Sequence, residues 1–295
     1  SRAIKALREE IRTSSRVMTL LSELNTDGRT LCNAYFKWCG AHWILVALAD
    51  LGYPQGDESL ISLRDQVLET WLSQDHIARV PTINGLPRCH ASQEGNALYA
   101  ITALGLEDER CRLLEENLLR WQWPDGGWNC AKKPDATNSS FHETLQPLRG
   151  LALFGRRHHL DIAIHAAERA AEIFLKRRLF KRQRDGQIIK KTFVDLAYPP
   201  YWHYDILNGL NVMAEAGFLG DERCDDALDL LESKRLGNGG FPCETVYYHT
   251  SGKRYKAGHL VSNSSLVEWG GVSKKRMNEW VTVEALGVLK SAGRF

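Results

Sequence analysis

WQWPDGGWNC, residues 121–130, joins two segments with helical apolar spacing and contains the pair Asp125-Gly126. Asp or Asn followed by Gly favours a chain reversal, because both residues tolerate a positive φ. Five such pairs lie between two predicted helices. The five pairs are Asp27-Gly28, Asn84-Gly85, Asp125-Gly126, Asp185-Gly186 and Asn238-Gly239. In four of them a cysteine follows the Asp or Asn by five residues, at Cys32, Cys89, Cys130 and Cys243. The spacing indicates an internal repeat.

The rest of the chain follows the helical period, with apolar residues three to four apart and no alternating strand pattern. Ten helices are predicted: 3–24, 33–51, 57–74, 91–104, 107–121, 139–154, 160–180, 201–216, 221–235 and 277–292. The second helix of each pair runs into a glycine of the kind that caps a helix in the left-handed conformation. These glycines are Gly52, Gly105, Gly155, Gly217 and Gly293.

The two helices of each repeat differ in character. The first is charged on one face, whereas the second is apolar most of the way round, which is typical of a buried helix. An inner ring of the second type wrapped by an outer ring of the first satisfies both patterns. We therefore expect an all-α fold, an α/α toroid of about five outer/inner helix pairs, forming one domain over 1–295. An open solenoid of helix pairs is the alternative.

Composition narrows the function classes. The formal net charge of +2 on 295 residues gives no indication of nucleic-acid binding. No apolar run approaches the roughly 20 residues that span a bilayer, although peripheral membrane contact stays open. The first residues contain no secretory signal, and the seven cysteines, an odd number, favour free thiols in a reducing compartment. A cytoplasmic location is expected.

Two turns resemble those of a known superfamily. Gln122-Trp123-Pro124-Asp125-Gly126-Gly127-Trp128 resembles the QW motif of squalene-hopene and related terpenoid cyclases. Asn238-Gly239-Gly240-Phe241 resembles the Gly-Gly-Phe turn of protein prenyltransferase β subunits and cyclases. The resemblance implies an α/α toroid over nearly the whole chain. The Asp-x-Asp-Asp acid of class II cyclases is absent from the sequence, and one fold hosts several chemistries.

A toroid leaves a pocket at the end where its inner helices begin, and carboxylates are predicted there. Aligning the inner helices on their glycines places Glu94, Glu143, Asp205 and Glu279 at similar heights. Carboxylates that share a cavity raise one another's pKa, which yields an acid and a base. The alternative interpretation is that each one caps a helix and complements its dipole.

Aromatic and histidine side chains cluster at the same level, and we expect them to line the substrate pocket. They are Trp38, His42, Trp43, His142, Tyr201, Trp202, His203, Tyr204 and Trp280. Aromatic faces stabilise carbocations and stack on sugars, whereas ordinary core packing is the structural alternative. These side chains are most closely spaced within residues 201–205. Asp205 is therefore the favoured acid or base, with His203 as a further catalytic candidate.

The spacing of the cysteines and histidines contains no compact zinc motif, so no metal or other cofactor is expected from it. The resemblance to prenyltransferases, which bind zinc through Asp, Cys and His, implies Asp125, Cys130 and His142 as a possible zinc set. Residues 244–276 have no helical period, and a segment of that length is usually functional or disordered. It enters at the expected cavity end, so it is a possible lid.

The leading hypothesis is a terpenoid cyclase- or prenyltransferase-like enzyme that uses inner-helix carboxylates on a small apolar or isoprenoid substrate. A carbohydrate-active α/α-barrel hydrolase or lyase could use the same carboxylates. A toroid that binds a lipid or a protein without catalysis is the third possibility. A deep apolar cavity would favour isoprenoids, and an open cleft with a polar floor would favour sugars.

Overall fold

The structure is a computed structural model that describes residues 2–249, 255–256 and 259–295. Twelve α-helices occur in these residues, so the mostly-α class is confirmed. The helices are α1 Arg2–Arg12, α2 Ser15–Leu21, α3 Ala41–Asp50, α4 Ile61–Trp71, α5 Gln74–Ala78, α6 Ser92–Ala103, α7 Arg110–Trp121, α8 Phe141–His158, α9 Asp161–Leu175, α10 Ile206–Ala216, α11 Asp225–Ser233 and α12 Glu279–Ser291.

Two short antiparallel hairpins accompany the helices. Strands β1 (Thr82–Ile83) and β2 (Leu86–Pro87) pair around the Asn84-Gly85 turn, and β3 (Tyr255–Lys256) pairs with β4 (His259–Leu260). None of the helices in the described part of the chain is long and apolar enough to cross a bilayer.

Each of the ten expected helices is present, with shifted ends. The segment predicted as 3–24 divides into α1 and α2, because the Ser14 hydroxyl accepts a hydrogen bond from Val17 N (3.4 Å) and starts a new helix. The helix predicted from residue 33 begins at Ala41. The chain folds back tightly before it, and a Cβ at Gly40 would lie 2.3 Å from Ala34 O. The short helix α5 was not predicted.

All five Asp/Asn-Gly pairs form turns in which the glycine has a positive φ, between 68° and 105°. Gly126 is the most constrained of them. A Cβ there would lie 2.5 Å from Arg169 O, so helix α9 packs directly on the turn. The reversal therefore needs glycine for its backbone conformation and again for its packing.

The side chains of the 121–130 turn tie helices together by hydrogen bonds. The Gln122 amide donates to Gly126 O within the turn and to Ala166 O on α9, both at 2.8 Å. The fully buried indole of Trp128 donates to Leu118 O on α7 at 3.0 Å. Its backbone N–H donates to the Thr144 hydroxyl on α8. Three helices thus meet at this turn.

Four of the five predicted glycine caps adopt the left-handed conformation: Gly52, Gly105, Gly217 and Gly293. The prediction for Gly155 was wrong. Helix α8 continues through it to His158 and ends at His159, which takes the left-handed conformation instead. A Cβ at Gly155 would lie 3.1 Å from the Ala163 side chain, so this glycine allows α8 and α9 to pack closely.

Five helices, α3, α6, α8, α10 and α12, form a sequence of neighbours and are called the central helices below. Each packs against the next in chain order. Helices α4, α7, α9 and α11 pack against α3, α6, α8 and α10, one on each. The repeat of the sequence therefore corresponds to pairs of a central and a flanking helix. One cluster of buried apolar side chains extends from Val17 to Leu289.

The closest helix contact in this arrangement joins α6 to α8. A Cβ at Gly95 would lie 2.3 Å from Pro147 N, and one at Gly150 would lie 2.5 Å from Gly95 O. The two backbones therefore touch through glycines on both helices. Larger residues at either position would force the helices apart.

We expect Gly126→Ala to destabilise the protein more than Gly186→Ala. Both positions have a positive φ, which costs alanine about 1–2 kcal/mol, but a Cβ has open space at Gly186 and overlaps Arg169 O at Gly126. Urea denaturation of the two variants measures the difference in the free energy of unfolding. Equal losses of stability would show that the packing of α9 on the turn contributes nothing.

Candidate functional site

A cavity of about 200 Å³ lies between the five central helices, and each of them contributes to its wall. It extends from an aromatic end, formed by α3 and the loops 197–201 and 265–269, to a charged end formed by side chains of α3, α8, α10 and α12. The sequence predicted a pocket where the inner helices begin. The charged groups of this cavity instead lie farther along: Glu284 in the second turn of α12, Arg149 in the middle of α8, and Asp50 and Glu215 in the last turns of α3 and α10.

The aromatic end is made of stacked rings. Trp38 stacks on Tyr201 with ring centroids 3.8 Å apart, and Trp43 contacts Trp38 edge-on at 4.6 Å. Tyr198 and Trp269 complete the wall, 5.6 Å from each other. Of the side chains predicted to bind substrate, Trp38, Trp43 and Tyr201 line this cavity. Their faces offer the environment that stabilises a cation or holds a flat ring.

The charged end is organised around Arg149 of α8, whose side chain is only 12% exposed. Its guanidinium contacts Asp50 Oδ1 on α3 at 2.9 Å and binds both carboxylate oxygens of Glu215 on α10. The Tyr99 hydroxyl on α6 accepts from Arg149 and donates to Asp50. Glu215 remains 43% exposed, so this network extends from the cavity to solvent.

A third carboxyl group, Glu284 of α12, lines the same end. Its Oε2 accepts a hydrogen bond from the Asn211 amide at 2.6 Å. Burial first, and then the charge of Asp50, raise the pKa of Glu284 to about 7. Burial also raises the pKa of Asp50, which Arg149 partly offsets. Three carboxyl groups around one guanidinium cannot all ionise cheaply, so one proton is retained near neutral pH.

Asp205, the favoured acid in the sequence, is the N-cap of α10. Its Oδ1 accepts from Asn208 N at 2.9 Å and its Oδ2 accepts from Ala197 N at 3.2 Å. Burial raises the pKa of Asp205 to about 7 despite these bonds. Its two oxygens are directed to backbone donors, and the residue is not part of the cavity wall.

The other predicted carboxylates are separate from the cavity. Glu94 is buried and contacts His76 Nε2 at 2.5 Å. Glu143 is buried and is hydrogen-bonded by His90 and by Ser92 N. Glu279 is exposed at the start of α12. The structure therefore does not gather the four predicted carboxylates into one site.

Several predicted ring side chains have structural contacts outside the main cavity. His42 is buried and accepts from Trp71 Nε1, and burial lowers its pKa to about 3. His142 Nδ1 accepts from Tyr204 N, and the Tyr204 hydroxyl donates to Leu179 O. Trp280 stacks on Tyr198 behind the cavity wall.

A second, more open pocket lies on the other side of Trp38. His203 stacks between Trp202, at 3.9 Å, and Tyr247, at 3.4 Å, and burial lowers its pKa to about 4. Lys37 lies 5.1 Å from the Trp202 ring. His203 and Trp202 therefore belong to this pocket, and Trp38 is shared by both.

Part of the possible lid, 244–276, contacts both pockets. Ser265 and Trp269 line the main cavity, and Tyr247 lines the second pocket. The remainder of this segment, at 250–254 and 257–258, lies outside the described residues. Its role as a lid stays a prediction.

One group of side chains in the described residues has the geometry of a metal site. His90, Cys130 and Glu143 each offer one ligand atom, and these atoms lie within 4.8 Å of one another. A hydrogen bond with Cys130, and then one with Glu143, raises the pKa of His90 to about 10. Cys130 belongs to the zinc set that the sequence suggested.

The other two residues of that set point elsewhere. The Asp125 carboxylate accepts from Ser139 N at 2.8 Å and from the Ser139 hydroxyl at 2.6 Å. His142 is engaged with Tyr204 N, as described above. Glu143, one residue later on α8, takes the position beside Cys130.

The residues of the charged end were missed in the sequence, although a signal for them exists. Asp50 and Glu215 both stand two positions before a capping glycine, Gly52 and Gly217. Arg149 and Glu284 are likewise charged residues within helices that are otherwise apolar on most faces. A charge inside a buried helix needs a partner or a function, so these positions were identifiable.

Comparison with known proteins leaves the family open. The sequence matches no model of a known protein family, and no curated protein resembles it significantly.

We expect Asp205→Ala to lower the free energy of unfolding by about 1–2 kcal/mol, because it removes the N-cap of α10. Asp205→Asn retains an oxygen that can accept from Asn208 N and should cost less. Chemical denaturation of both variants measures this. Equal stability of wild type and Asp205→Ala would contradict the capping role.

We expect Glu284→Gln to stabilise the protein relative to wild type more at pH 8 than at pH 5. Burial raises the pKa of Glu284 from 4.5 to about 7. Between these values the folded state keeps a proton that the unfolded state releases, so stability falls as pH rises. The difference should be about 1–3 kcal/mol after solvent screening.

The measurement is urea denaturation of wild type and Glu284→Gln at the two pH values, with Glu116→Gln on the exposed side of α7 as the control. A stability difference between wild type and Glu284→Gln that does not change with pH would contradict the raised pKa.

Proposed function

We propose that the central and flanking helices close into an α/α toroid and that the protein is an acid-catalysing enzyme of the terpenoid cyclase type. Its substrate would be a small apolar molecule with a carbon–carbon double bond, held in the central cavity. The observation that carries this proposal is Glu284, a carboxyl group whose pKa burial raises to about 7 and which lines the same cavity as the aromatic rings.

The toroid is supported by the order of helix contacts. The central helices contact one another in chain order, and all five border one cavity. Arg16 of α2 lies 4.9 Å from the Trp280 ring of α12, so the first and last parts of the sequence are adjacent. The resemblance of the 122–128 turn to the QW motif points to the same architecture.

The proposed chemistry starts with proton transfer to carbon. Asn211 donates to Glu284 Oε2, which leaves Oε1 to carry the proton. The double bond takes this proton, one new C–H bond forms, and a carbocation remains on the more substituted carbon. Loss of a proton from a neighbouring carbon to the carboxylate restores the acid and leaves a neutral product.

The surroundings of Glu284 suit both stages of this reaction. Asp50 and Glu215 are both bound to Arg149, which favours their ionised forms, while Glu284 is held by an amide. Different environments give neighbouring carboxyl groups different pKa values, so that one can act as an acid while the others are ionised. The faces of Trp38, Trp43 and Trp269 would stabilise the cation.

The cavity also restricts the substrate. Its volume of about 200 Å³ is below the roughly 300–1,000 Å³ of sites for drug-sized ligands. A monoterpene- or sesquiterpene-sized substrate is therefore favoured over a triterpene.

The polar floor supports one alternative, a carbohydrate-active enzyme. Two acidic side chains beside a stacked aromatic wall are also the elements of a glycosidase, and Glu215 brings the charged end of the cavity to solvent. In that reaction Glu284 would protonate a glycosidic oxygen instead of carbon.

Turnover in deuterium oxide distinguishes the two functions. Purified protein is incubated with monoterpene, sesquiterpene and triterpene olefins, their diphosphates and a panel of oligosaccharides, and products are analysed by mass spectrometry. We expect an isoprenoid product with deuterium bound to carbon. Glycoside cleavage that leaves carbon-bound hydrogen unexchanged would establish the alternative.

Glu284→Gln should reduce kcat by at least about a hundredfold, in the range of general acid catalysis, while Glu116→Gln leaves it unchanged. The activity of the wild type should fall as pH rises through about 7, since the acid must be protonated. Full activity in Glu284→Gln would refute the assigned acid. Quenching of tryptophan fluorescence by a ligand without turnover would favour a binding protein.

A further inference from the structure

We infer that His90, Cys130 and Glu143 form a binding site for a divalent metal ion of the zinc class, with a fourth position open to solvent. The three residues lie outside the wall of the central cavity, so the inference does not depend on the proposed function. Thiolate, imidazole and carboxylate are the donors that zinc combines in proteins.

The first argument is convergence. The three ligand atoms lie within 4.8 Å of one another, and the His90 Nδ1 to Glu143 Oε1 distance is 3.2 Å. Ligand atoms around a tetrahedral zinc ion are about 3.3–3.7 Å apart. Small side-chain movements are therefore enough to place an ion at equal distance from all three.

Convergence also separates this site from a nucleophile relay. A Cys–His–Glu relay needs the imidazole in line between the thiol and the carboxylate. Here Cys130 Sγ lies within 4.8 Å of both a ring nitrogen of His90 and a carboxylate oxygen of Glu143, and His90 Nδ1 itself contacts Glu143 Oε1 at 3.2 Å. A closed triangle of donors favours a shared ion over proton transfer along a line.

The second argument is charge. A Cys130 thiolate and a Glu143 carboxylate supply two negative charges, which balance one divalent cation. Glu143 is buried and His90 can balance its single charge. A thiolate at Cys130 adds a second negative charge, which a divalent ion would balance.

The third argument is support and access. Glu143 Oε2 accepts a hydrogen bond from Ser92 N at the start of α6, and such a bond to a metal-binding carboxylate holds it in position for the ion. The His90 side chain is 61% exposed, so an ion can enter from solvent and a water molecule or ligand can occupy the fourth position. Three protein ligands with an open position are typical of catalytic zinc.

Cobalt binding tests the site, because a cobalt–thiolate bond produces a charge-transfer absorption band in the near ultraviolet. The reduced full chain is stripped of metal with a chelator and titrated with Co²⁺ and then Zn²⁺. We expect one equivalent of Co²⁺ to bind with a charge-transfer band, and Zn²⁺ to remove the band by displacement.

The chain offers matched controls. Cys32 stands at the same position of the repeat as Cys130 and is also half-buried, and His165 is an exposed histidine paired with Glu168. Cys130→Ser should abolish the band, and His90→Ala should weaken Co²⁺ binding by at least about tenfold. Cys32→Ser and His165→Ala should bind as the wild type does.

Because His90 is exposed, His90→Ala is expected to fold even if a variant at the buried Glu143 does not. Thermal unfolding with and without Zn²⁺ adds a second readout, since binding to the folded state raises Tm. The inference is overturned if the wild type binds no stoichiometric Co²⁺ or Zn²⁺, or if the band persists in Cys130→Ser. Faster alkylation of Cys130 than of Cys32 in a protein that binds no metal would identify a nucleophile instead.

Discussion

The ion pairs of Arg149 are the interaction on which the centre of this molecule depends. A guanidinium that is mostly removed from water must be compensated where it lies. Its partners come from three other helices, Asp50 from α3, Tyr99 from α6 and Glu215 from α10. Helices that are adjacent only through apolar packing could rotate or slide. These contacts instead fix one rotation and one height for each of them.

The same pairing accounts for the chemistry proposed for the cavity. One arginine pairs with two carboxylates, and a third carboxyl group, Glu284, shares the space with an amide partner. Burial and the nearby charge of Asp50 then favour the neutral form of Glu284. The site has three carboxyl groups and one guanidinium. This excess of carboxyl groups can produce an acid that functions at neutral pH, without any unusual geometry at the acid itself.

Much of the fold could be predicted from the sequence, because its signals are local. Asp/Asn-Gly turns and glycine caps depend on backbone conformation alone, and all five turns and four of the caps occur where expected. Gly155 failed because close packing against α9, a long-range contact, also selects glycine. The same residue type therefore has two causes, and the sequence alone does not separate them.

The candidate site was harder to predict, since it depends on which end of each helix faces which neighbour. Glu94, Glu143 and Asp205 lie at helix starts as expected, but each is committed to a local partner. The charged groups of the cavity instead lie at least one turn farther along the helices. The helical period of the sequence predicts on which face of its helix a residue lies. The residue that it meets on a neighbouring helix depends on how the helices assemble.

The contact between Gly95 and Gly150 has a consequence for how the two sites relate. Helices α6 and α8 touch backbone to backbone there, so sliding one helix along the other would bring their backbone atoms into overlap. Ser92 and Glu143 lie at one end of this pair, and Tyr99 and Arg149 lie farther along it. The inferred metal site and the charged end of the cavity are therefore held at a constant separation by one closely packed helix pair. Changes in the surrounding loops can alter one site while the spacing to the other is preserved.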